Sequence, residues 1–166
     1  GDFSNECALR IRKMNNVWRL WRRLWVSSAS FQFRLTIFKC MIVSTLLSGA
    51  IAYALKNKHY KKIQTALAKK ARAFYRGKAC TTNDDGTRTT MNNVTVLAAL
   101  GLAPVKVELS ILRLRWYAQI ATEPSNHVMF ISAMFGNFYN LPADVSPNHP
   151  HMQQYINDIK LCSNVE

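Results

Sequence analysis

The chain has 166 residues, of which 49% are apolar and 19% charged, and its formal net charge is +13. This length and apolar content predict one folded domain, with at most a small appendage, and exclude a disordered chain. The four cysteines lie far apart without CxxC or CxxH spacing, which argues against a disulfide framework. They predict a reducing, intracellular compartment, and the composition does not distinguish nucleus, cytoplasm and organelle.

The positive charge is concentrated in the first half of the chain. Residues 1–78 contain 17 lysines and arginines against two acidic residues, a net charge of +15. Residues 79–166 contain five basic and seven acidic residues, a net charge of −2. Such asymmetry predicts that the first half binds a polyanion, either nucleic acid or the anionic face of a membrane.

Three long helices are predicted in the first half, because proline and glycine are almost absent before Gly77. Hydrophobic periodicity places these helices at about 3–26, 31–55 and 58–76. The stretch SSAS separates the first two and offers Ser30 as an N-cap, and Gly77 ends the third.

Shorter helices are predicted in the second half, after a polar loop at 77–91 that is rich in Thr, Asn, Asp and Gly. The first begins at an asparagine cap, and two others begin at prolines, which the first helical turn tolerates. The predicted ranges are 92–101, 104–122, 124–135 and 151–162, with an irregular stretch at 136–150. No segment shows strand alternation, so the predicted fold is an all-α helical bundle of three long helices followed by three or four shorter ones.

The chain shows no internal repeat and no low-complexity tract. Its elements group into three predicted regions. Residues 1–78 form a basic three-helix region, and residues 79–136 form a region of shorter helices packed on it. Residues 137–166 form an irregular tail with a short terminal helix.

The stretch VWRLWRRLW at 17–25 raises the question whether its aromatic residues stack nucleic-acid bases. At 100° per residue, the tryptophans share one arc with Ile11 and Met14, apart from the arginines. Base stacking needs aromatic rings exposed within a basic groove, so these tryptophans are predicted to lie in the core. The separate basic arc is predicted to contact phosphate groups through Arg12, Arg19, Arg22 and Arg23.

The third helix carries a second basic face. Its apolar stripe runs from Tyr60 to Phe74, and the opposite face holds only positive charges. An exposed helix usually mixes charges of both signs, because oppositely charged pairs four residues apart stabilise it. The all-positive face is therefore predicted to bind phosphate through Lys58, Lys61, Lys62, Lys69, Arg72 and Arg76. Arg113 and Arg115 are weaker candidates for an extension of the basic surface.

Two interpretations remain for the second helix, because residues 35–55 are apolar on all sides after Lys39. The uninterrupted apolar run from 40 to 55 is shorter than the roughly 20 residues that span a bilayer. Burial among neighbouring helices is therefore favoured, and insertion into a membrane between basic flanks is the disfavoured alternative.

Several motifs, in this order, resemble the thumb and downstream region of reverse transcriptases from non-LTR (LINE-type) retrotransposons. The stretch WRRLW ends one helix, and the next helix carries the motif residues Lys39, Val43, Ser44, Leu46, Leu47 and Gly49. A basic helix then ends in the pair Arg76-Gly77, and GLAPVKVELSILRLRW at 101–116 and AMFG at 133–136 also fit. The resemblance covers roughly residues 5–136.

The resemblance implies a thumb-like body without an active site. The polymerase palm with its metal-binding aspartates is missing, and Asp84 and Asp85 lie in a predicted loop, where they cannot hold two ions rigidly. Ser48 replaces the usual tyrosine before the glycine of the second helix, and no Cys/His knuckle follows. His149 and His151 lie near prolines, which indicates a surface loop rather than a metal site. No catalytic residue, metal or cofactor is predicted, so the chain is at most a fragment of an RNA-directed DNA polymerase.

The charges and the resemblance together predict a non-catalytic module that binds the nucleic-acid backbone. The resemblance implies RNA rather than DNA, because the thumb of the parent enzyme handles an RNA template. The alternative function is a structural subunit of a large assembly, such as a ribonucleoprotein like the ribosome or an organellar membrane complex. In that case the basic half docks on the assembly and the Pro/Asn-rich stretch at 136–150 lies along a protein partner.

Overall fold

The computed structural model describes residues 3–53, 55–122 and 150–163, and these residues are mostly helical. The predicted all-α class is confirmed for these described residues. The helix predicted at 124–135 and the irregular stretch before residue 150 lie outside the described residues. The three long N-terminal helices differ in detail from the prediction.

The first predicted helix divides into two at Trp21. Helix α1 spans Phe3–Leu20 and helix α2 spans Arg22–Val26. Trp21 has φ −91° and ψ 13°, which lies in the bridge region outside the α-helical well. The helix axis is therefore interrupted within the WRRLW stretch, a change that periodicity alone does not reveal.

The second predicted helix begins where expected and ends early. Ser30 caps helix α3 by accepting a hydrogen bond from the backbone N–H of Phe33 at 3.2 Å. Gly49, at φ 63°, is left-handed and interrupts the predicted span before residue 55. The successive segments are α3 (Phe31–Ile37), a π-helix (Phe38–Val43), α4 (Ser44–Leu47) and a 3₁₀ turn (Ala50–Ala52).

The third predicted helix is observed as α5, which spans Asn57–Tyr75 and is followed by a 3₁₀ turn at Arg76–Ala79. The loop predicted after it contains an antiparallel hairpin of β1 (Cys80–Thr82) and β2 (Arg88–Thr90). The prediction that the chain has no strand is wrong here. Each strand has only three residues, too few to show an alternating pattern in the sequence.

The later described helices begin close to their predicted positions. Helix α6 (Asn93–Ala98) starts at Asn92, whose side chain accepts from the N–H of Thr95 at 2.8 Å. Helix α7 spans Val105–Thr122, and helix α8 spans Pro150–Ser163.

The chain forms two compact units. The first contains Gly1–Ser48 and Lys56–Val105, and the second contains Gly49–Leu55 and Lys106–Glu166. The boundary predicted at residue 78 falls inside the first unit. The ten basic residues predicted on the first and third helices to bind phosphate belong to this first unit, whereas Arg113 and Arg115 belong to the second.

In the first unit, α1 with its continuation α2 packs beside α5, and the two run in the same direction. Contacts at successive points pair Phe3 with His59, Trp18 with Lys70 and Trp25 with Phe74, at 5.5, 5.4 and 6.0 Å. The partner on α5 moves forward as the chain advances along α1, which fixes the parallel direction. Parallel packing places two basic helices side by side.

An aromatic cluster fills the core at the far end of this pair. The rings of Phe38 and Phe74 lie 5.0 Å apart, and that of Trp25 lies 6.3 Å from Phe38. All three side chains are buried. Aromatic rings at these separations contribute about 0.5–1.5 kcal/mol per pair beyond their apolar burial. This cluster ties α2, the π-helix and α5 together.

Candidate nucleic-acid interface

The exposed face of α5 carries all four lysines predicted to bind phosphate. This 19-residue helix contains no acidic residue, and its buried stripe includes Ile63, Leu67 and Phe74. At 100° per residue, the lysines fall within an arc of about 100° on the opposite side. The exposed residues of this arc are Lys58, Lys61, Lys62 and Lys69.

The arginines predicted on the first helix are also exposed. Arg12 and Arg19 lie on α1, seven residues apart and therefore on one face. Arg22 and Arg23 lie on α2, beyond the break at Trp21. The acidic residue within the α1 span, Glu6, forms an ion pair of 2.8 Å with Arg10. None of the four exposed arginines therefore has an acidic partner within α1 or α2.

The two basic faces meet at Lys70. Its ammonium lies over the ring of Trp18, 5.4 Å from the centroid. Burial lowers the pKa of Lys70, and the charges of Lys69 and Arg19 lower it further. These three cations come from both helices and repel one another, so bringing them together costs free energy that a bound anion would remove. Lys70 is not among the predicted site residues, because it lies off the arc of the other α5 lysines.

Arg72 contributes to the fold as well as to the charge of α5. Its Nε and Nη2 donate to the carbonyl of Met91 at 3.2 and 2.8 Å, and Nη2 also donates to Oδ1 of Asn93 at 2.7 Å. These bonds connect α5 to the segment that leads into α6. Phosphate binding by Arg72 stays a prediction, and the side chain has a structural role that spacing did not reveal.

Arg76 likewise makes a hydrogen bond within the fold. Its Nη2 donates to the carbonyl of Trp25 at 2.6 Å, and Nη1 of Arg34 donates to the same oxygen at 2.9 Å. This carbonyl belongs to α2, whose last carbonyls lack helical partners. Arg34 was not predicted as a site residue, because its partners are visible only in three dimensions.

The tryptophans of the WRRLW stretch do not share one environment. Trp25 is buried, and its ring stacks on that of half-buried Trp18 with centroids 4.9 Å apart. Trp21 is 37% exposed and lies next to Arg22. The prediction that these tryptophans are core is confirmed for Trp25 and wrong for Trp21. Trp21 keeps the helical hydrogen bond from its N–H to the carbonyl of Val17 at 3.1 Å, and the chain changes direction after it.

Arg113 does not extend the basic surface. It is 1% exposed, and its Nε lies 2.6 Å from Oδ2 of Asp158 in the second unit. Ser110 and Gln154 donate to the other carboxylate oxygen of Asp158, at 2.7 and 3.0 Å. A buried charge needs such a partner, and this one lies 45 residues away in sequence. The prediction for Arg113 is wrong, while Arg115 is exposed.

Within the described part of the chain, one helical stretch is long and apolar enough to cross a membrane by length and composition alone, Phe31–Ala52 with 22 residues. Core helices of soluble proteins pass the same test. Its buried side includes Leu35, Phe38, Ile42 and Leu46. Its exposed polar residues recur at helical spacing and are Gln32, Thr36, Lys39, Ser44 and Ser48. Phe31 and Phe33 are also exposed on this stretch, so its burial among neighbouring helices rather than in lipid stays a prediction.

Asp84 and Asp85 lie in the turn of the hairpin. Oδ1 of Asp85 accepts from the backbone N–H and the hydroxyl of Thr87, at 2.9 and 2.6 Å, and these bonds lower the pKa of this carboxyl. Asp85 therefore stabilises a local turn. Over the ranges 3–53, 55–122 and 150–163, no group of three His, Cys, Asp or Glu residues is placed to hold a metal ion.

No known protein family, curated protein or solved structure matches this chain. The resemblance to LINE-type reverse transcriptases therefore stays a prediction based on its motifs. Two glycines of those motifs, Gly49 and Gly101, have φ angles of 63° and 61°. Glycine adopts this left-handed conformation at little cost, which gives both motif positions a structural reason.

Proposed function

We propose that the chain is a non-catalytic, RNA-binding helical module derived from the thumb of a reverse transcriptase. One observation supports it above the others: two parallel neighbouring helices carry exposed cations, and their charges come together at Lys70. No acidic residue lies on α5 to neutralise them. Charged faces of this kind bind the phosphate backbone and read little sequence.

Binding to RNA is expected to weaken steeply with salt. Each phosphate that a lysine or arginine neutralises releases a counterion and steepens the log–log salt slope by about 0.7 for single strands and about 0.9 for a B-form duplex. If roughly half to all of the eight exposed candidates on α1, α2 and α5 make contact, the slope lies between about −3 and −7. Fluorescence anisotropy with a labelled structured RNA across a salt series measures this slope.

A matched pair of triple variants tests whether the surface is correct. Lys61→Glu/Lys62→Glu/Lys69→Glu reverses three charges on the α5 face. The control reverses three exposed charges that lie outside α1, α2 and α5, in Arg88→Glu/Lys106→Glu/Lys160→Glu, and has the same net charge. We expect the first variant to lose RNA affinity by at least about a hundredfold at low salt, because three contacts become repulsive. Equal losses in both variants would show non-specific attraction, and unchanged affinity in the first would refute this surface.

The reverse-transcriptase origin predicts a preference for RNA over DNA. Duplexes of the same sequence in RNA and DNA form are compared at one salt concentration. Tighter binding to the RNA duplex supports the thumb origin, and tighter binding to DNA contradicts it. A reducing, intracellular compartment is part of this proposal, because the four cysteines lie far apart in the sequence.

A structural subunit of a large assembly is the second candidate function. Large apolar side chains exposed on the first unit support it, notably Leu20 at 80%, Val26 at 70% and Phe33 at 54%. Such residues are typical of protein contact surfaces when they are contiguous. Sedimentation of the purified chain as a stable, soluble monomer that binds RNA would count against this alternative.

A further inference from the structure

A small cavity lies where the end of α5 meets the start of α3. Its volume is about 300 Å³, at the lower end of the range for small-molecule pockets. It belongs entirely to the first unit. The residues that line it are Phe31, Arg34, Phe74, Tyr75, Arg76 and Lys78. None of them is acidic, so the cavity combines aromatic walls with three positive charges.

The aromatic walls are apolar, and the ring of Phe31 is inclined by 47° to that of Phe74 and by 62° to that of Tyr75. The ring centroid of Phe31 lies 5.5 Å from that of Phe74 and 6.2 Å from that of Tyr75. Phe74 is buried and forms the floor, whereas Phe31 is 42% exposed. An exposed phenylalanine fixed against two further rings offers a stacking surface for a planar ligand. The separations between the rings leave no space for a ligand ring between them.

The cations of the cavity are held in place by the fold. Hydrogen bonds to the carbonyl of Trp25 orient the guanidiniums of Arg34 and Arg76, and Arg34 also donates from Nε to the carbonyl of Ala29 at 3.1 Å. A guanidinium has five N–H donors, so both arginines keep donors beyond these bonds. Lys78 is exposed at the rim.

The backbone at Arg76 is also unusual. Its φ is +56°, a conformation that residues other than glycine rarely adopt. Strain of this kind persists where the surrounding contacts impose it, and it is common in ligand sites. Here it turns the chain so that Arg76 and Lys78 reach the same cavity.

We infer that this cavity binds a nucleoside monophosphate, with the base on Phe31 and the phosphate beside Arg76 and Lys78. Aromatic walls with cations at one side match a planar base joined to an anion. The ligand is either a free nucleotide or an unpaired nucleotide of a bound strand. Binding of an unpaired nucleotide of a strand rests on the proposed RNA-binding function. It adds recognition of one single-stranded nucleotide to the contacts with the phosphate backbone.

Equilibrium dialysis of the full chain against radiolabelled AMP tests the cavity without RNA. We expect AMP to bind. Adenosine and ribose 5-phosphate should compete for the cavity at least about tenfold more weakly than unlabelled AMP, because adenosine lacks the phosphate and ribose 5-phosphate lacks the base. Phe31→Leu keeps an apolar side chain but removes the ring, and it should weaken AMP binding about tenfold. Phe33→Leu is the control, since Phe33 lies on the same helix and does not line the cavity.

Lys78→Gln should weaken AMP binding severalfold and leave adenosine binding unchanged, because it removes only a phosphate contact. Absence of AMP binding, or equal AMP affinity in Phe31→Leu and Phe33→Leu, would overturn the inference. Circular dichroism of each variant confirms that a lost affinity is not a lost fold.

An RNA duplex with and without one unpaired 3′ nucleotide distinguishes the two sources. If the unpaired nucleotide increases the affinity for RNA and Phe31→Leu abolishes this gain in affinity, the result supports binding of a strand. Salt-dependent duplex binding without any such gain leaves the proposed function intact and overturns the strand as the source. AMP binding together with no duplex binding refutes the proposed function and assigns the cavity to a free nucleotide.

Discussion

Replacing Arg72 separates its role in the fold from its role in binding. Arg72→Met keeps the length of the side chain and removes the three hydrogen bonds to Met91 and Asn93. A hydrogen bond with a charged donor contributes about 1.5–3 kcal/mol. The three bonds share one half-buried guanidinium, so we expect a total loss of about 2–3 kcal/mol in the free energy of unfolding. For a chain of this size, that corresponds to a fall in Tm of about 4–12 °C.

The assay is urea unfolding followed by circular dichroism, with Lys69→Met as the matched control. Lys69 lies three residues earlier on α5 and is exposed, so its replacement should change the unfolding free energy by less than about 0.5 kcal/mol. RNA affinity should show the opposite order, with the larger loss in Lys69→Met. If Arg72→Met is as stable as Lys69→Met, the hydrogen bonds of Arg72 do not stabilise the fold and the reasoning fails.

Three further predictions concern the packing of the first unit. Trp25→Ala should cost about 3–5 kcal/mol in urea unfolding and Trp21→Ala less than about 1 kcal/mol, because Trp25 is buried and Trp21 is exposed. Equal costs would contradict this difference in burial. Exposed Cys40 should react with a thiol reagent in the folded state. Cys7 is buried, and burial raises its pKa, so it should react only after unfolding. Mass spectrometry of the labelled chain measures the order of labelling, and early labelling of Cys7 would contradict its buried position. The pKa of Lys70 is lowered in the folded chain, so the unfolded chain binds more protons and the contribution of Lys70 to stability should rise as the pH approaches the ordinary pKa of 10.5. Urea unfolding of wild type and Lys70→Met across this alkaline range measures this contribution. The free energy of unfolding of wild type should increase relative to that of Lys70→Met as the pH rises.

The sequence predicts α5 and its exposed lysines well, because a 19-residue helix has enough turns to separate an apolar stripe from a charged face. It also predicts the caps at Ser30 and Asn92, where one side chain and a neighbouring N–H decide the outcome. These features depend on residues close together in the chain. The exposed arc that supports the proposed function belongs to this class.

The features that escaped prediction depend on partners far away in sequence. Arg72 meets the carbonyl of Met91, 19 residues later, and Arg113 meets Asp158, 45 residues later. Helical spacing places both arginines on a face, but it does not show what lies opposite that face. The cavity at the end of α5 has the same origin, because its aromatic wall comes from Phe31 and most of its charge from residues after Phe74.

Helix α2 has only five residues, too few for a helix to persist alone in water. Its carbonyl at Trp25 is held by Arg34, nine residues later, and by Arg76, 51 residues later. The end of α5 therefore contributes to holding the last turn of α2. We expect the amide hydrogens of the two segments to exchange with solvent together, although they lie far apart along the chain.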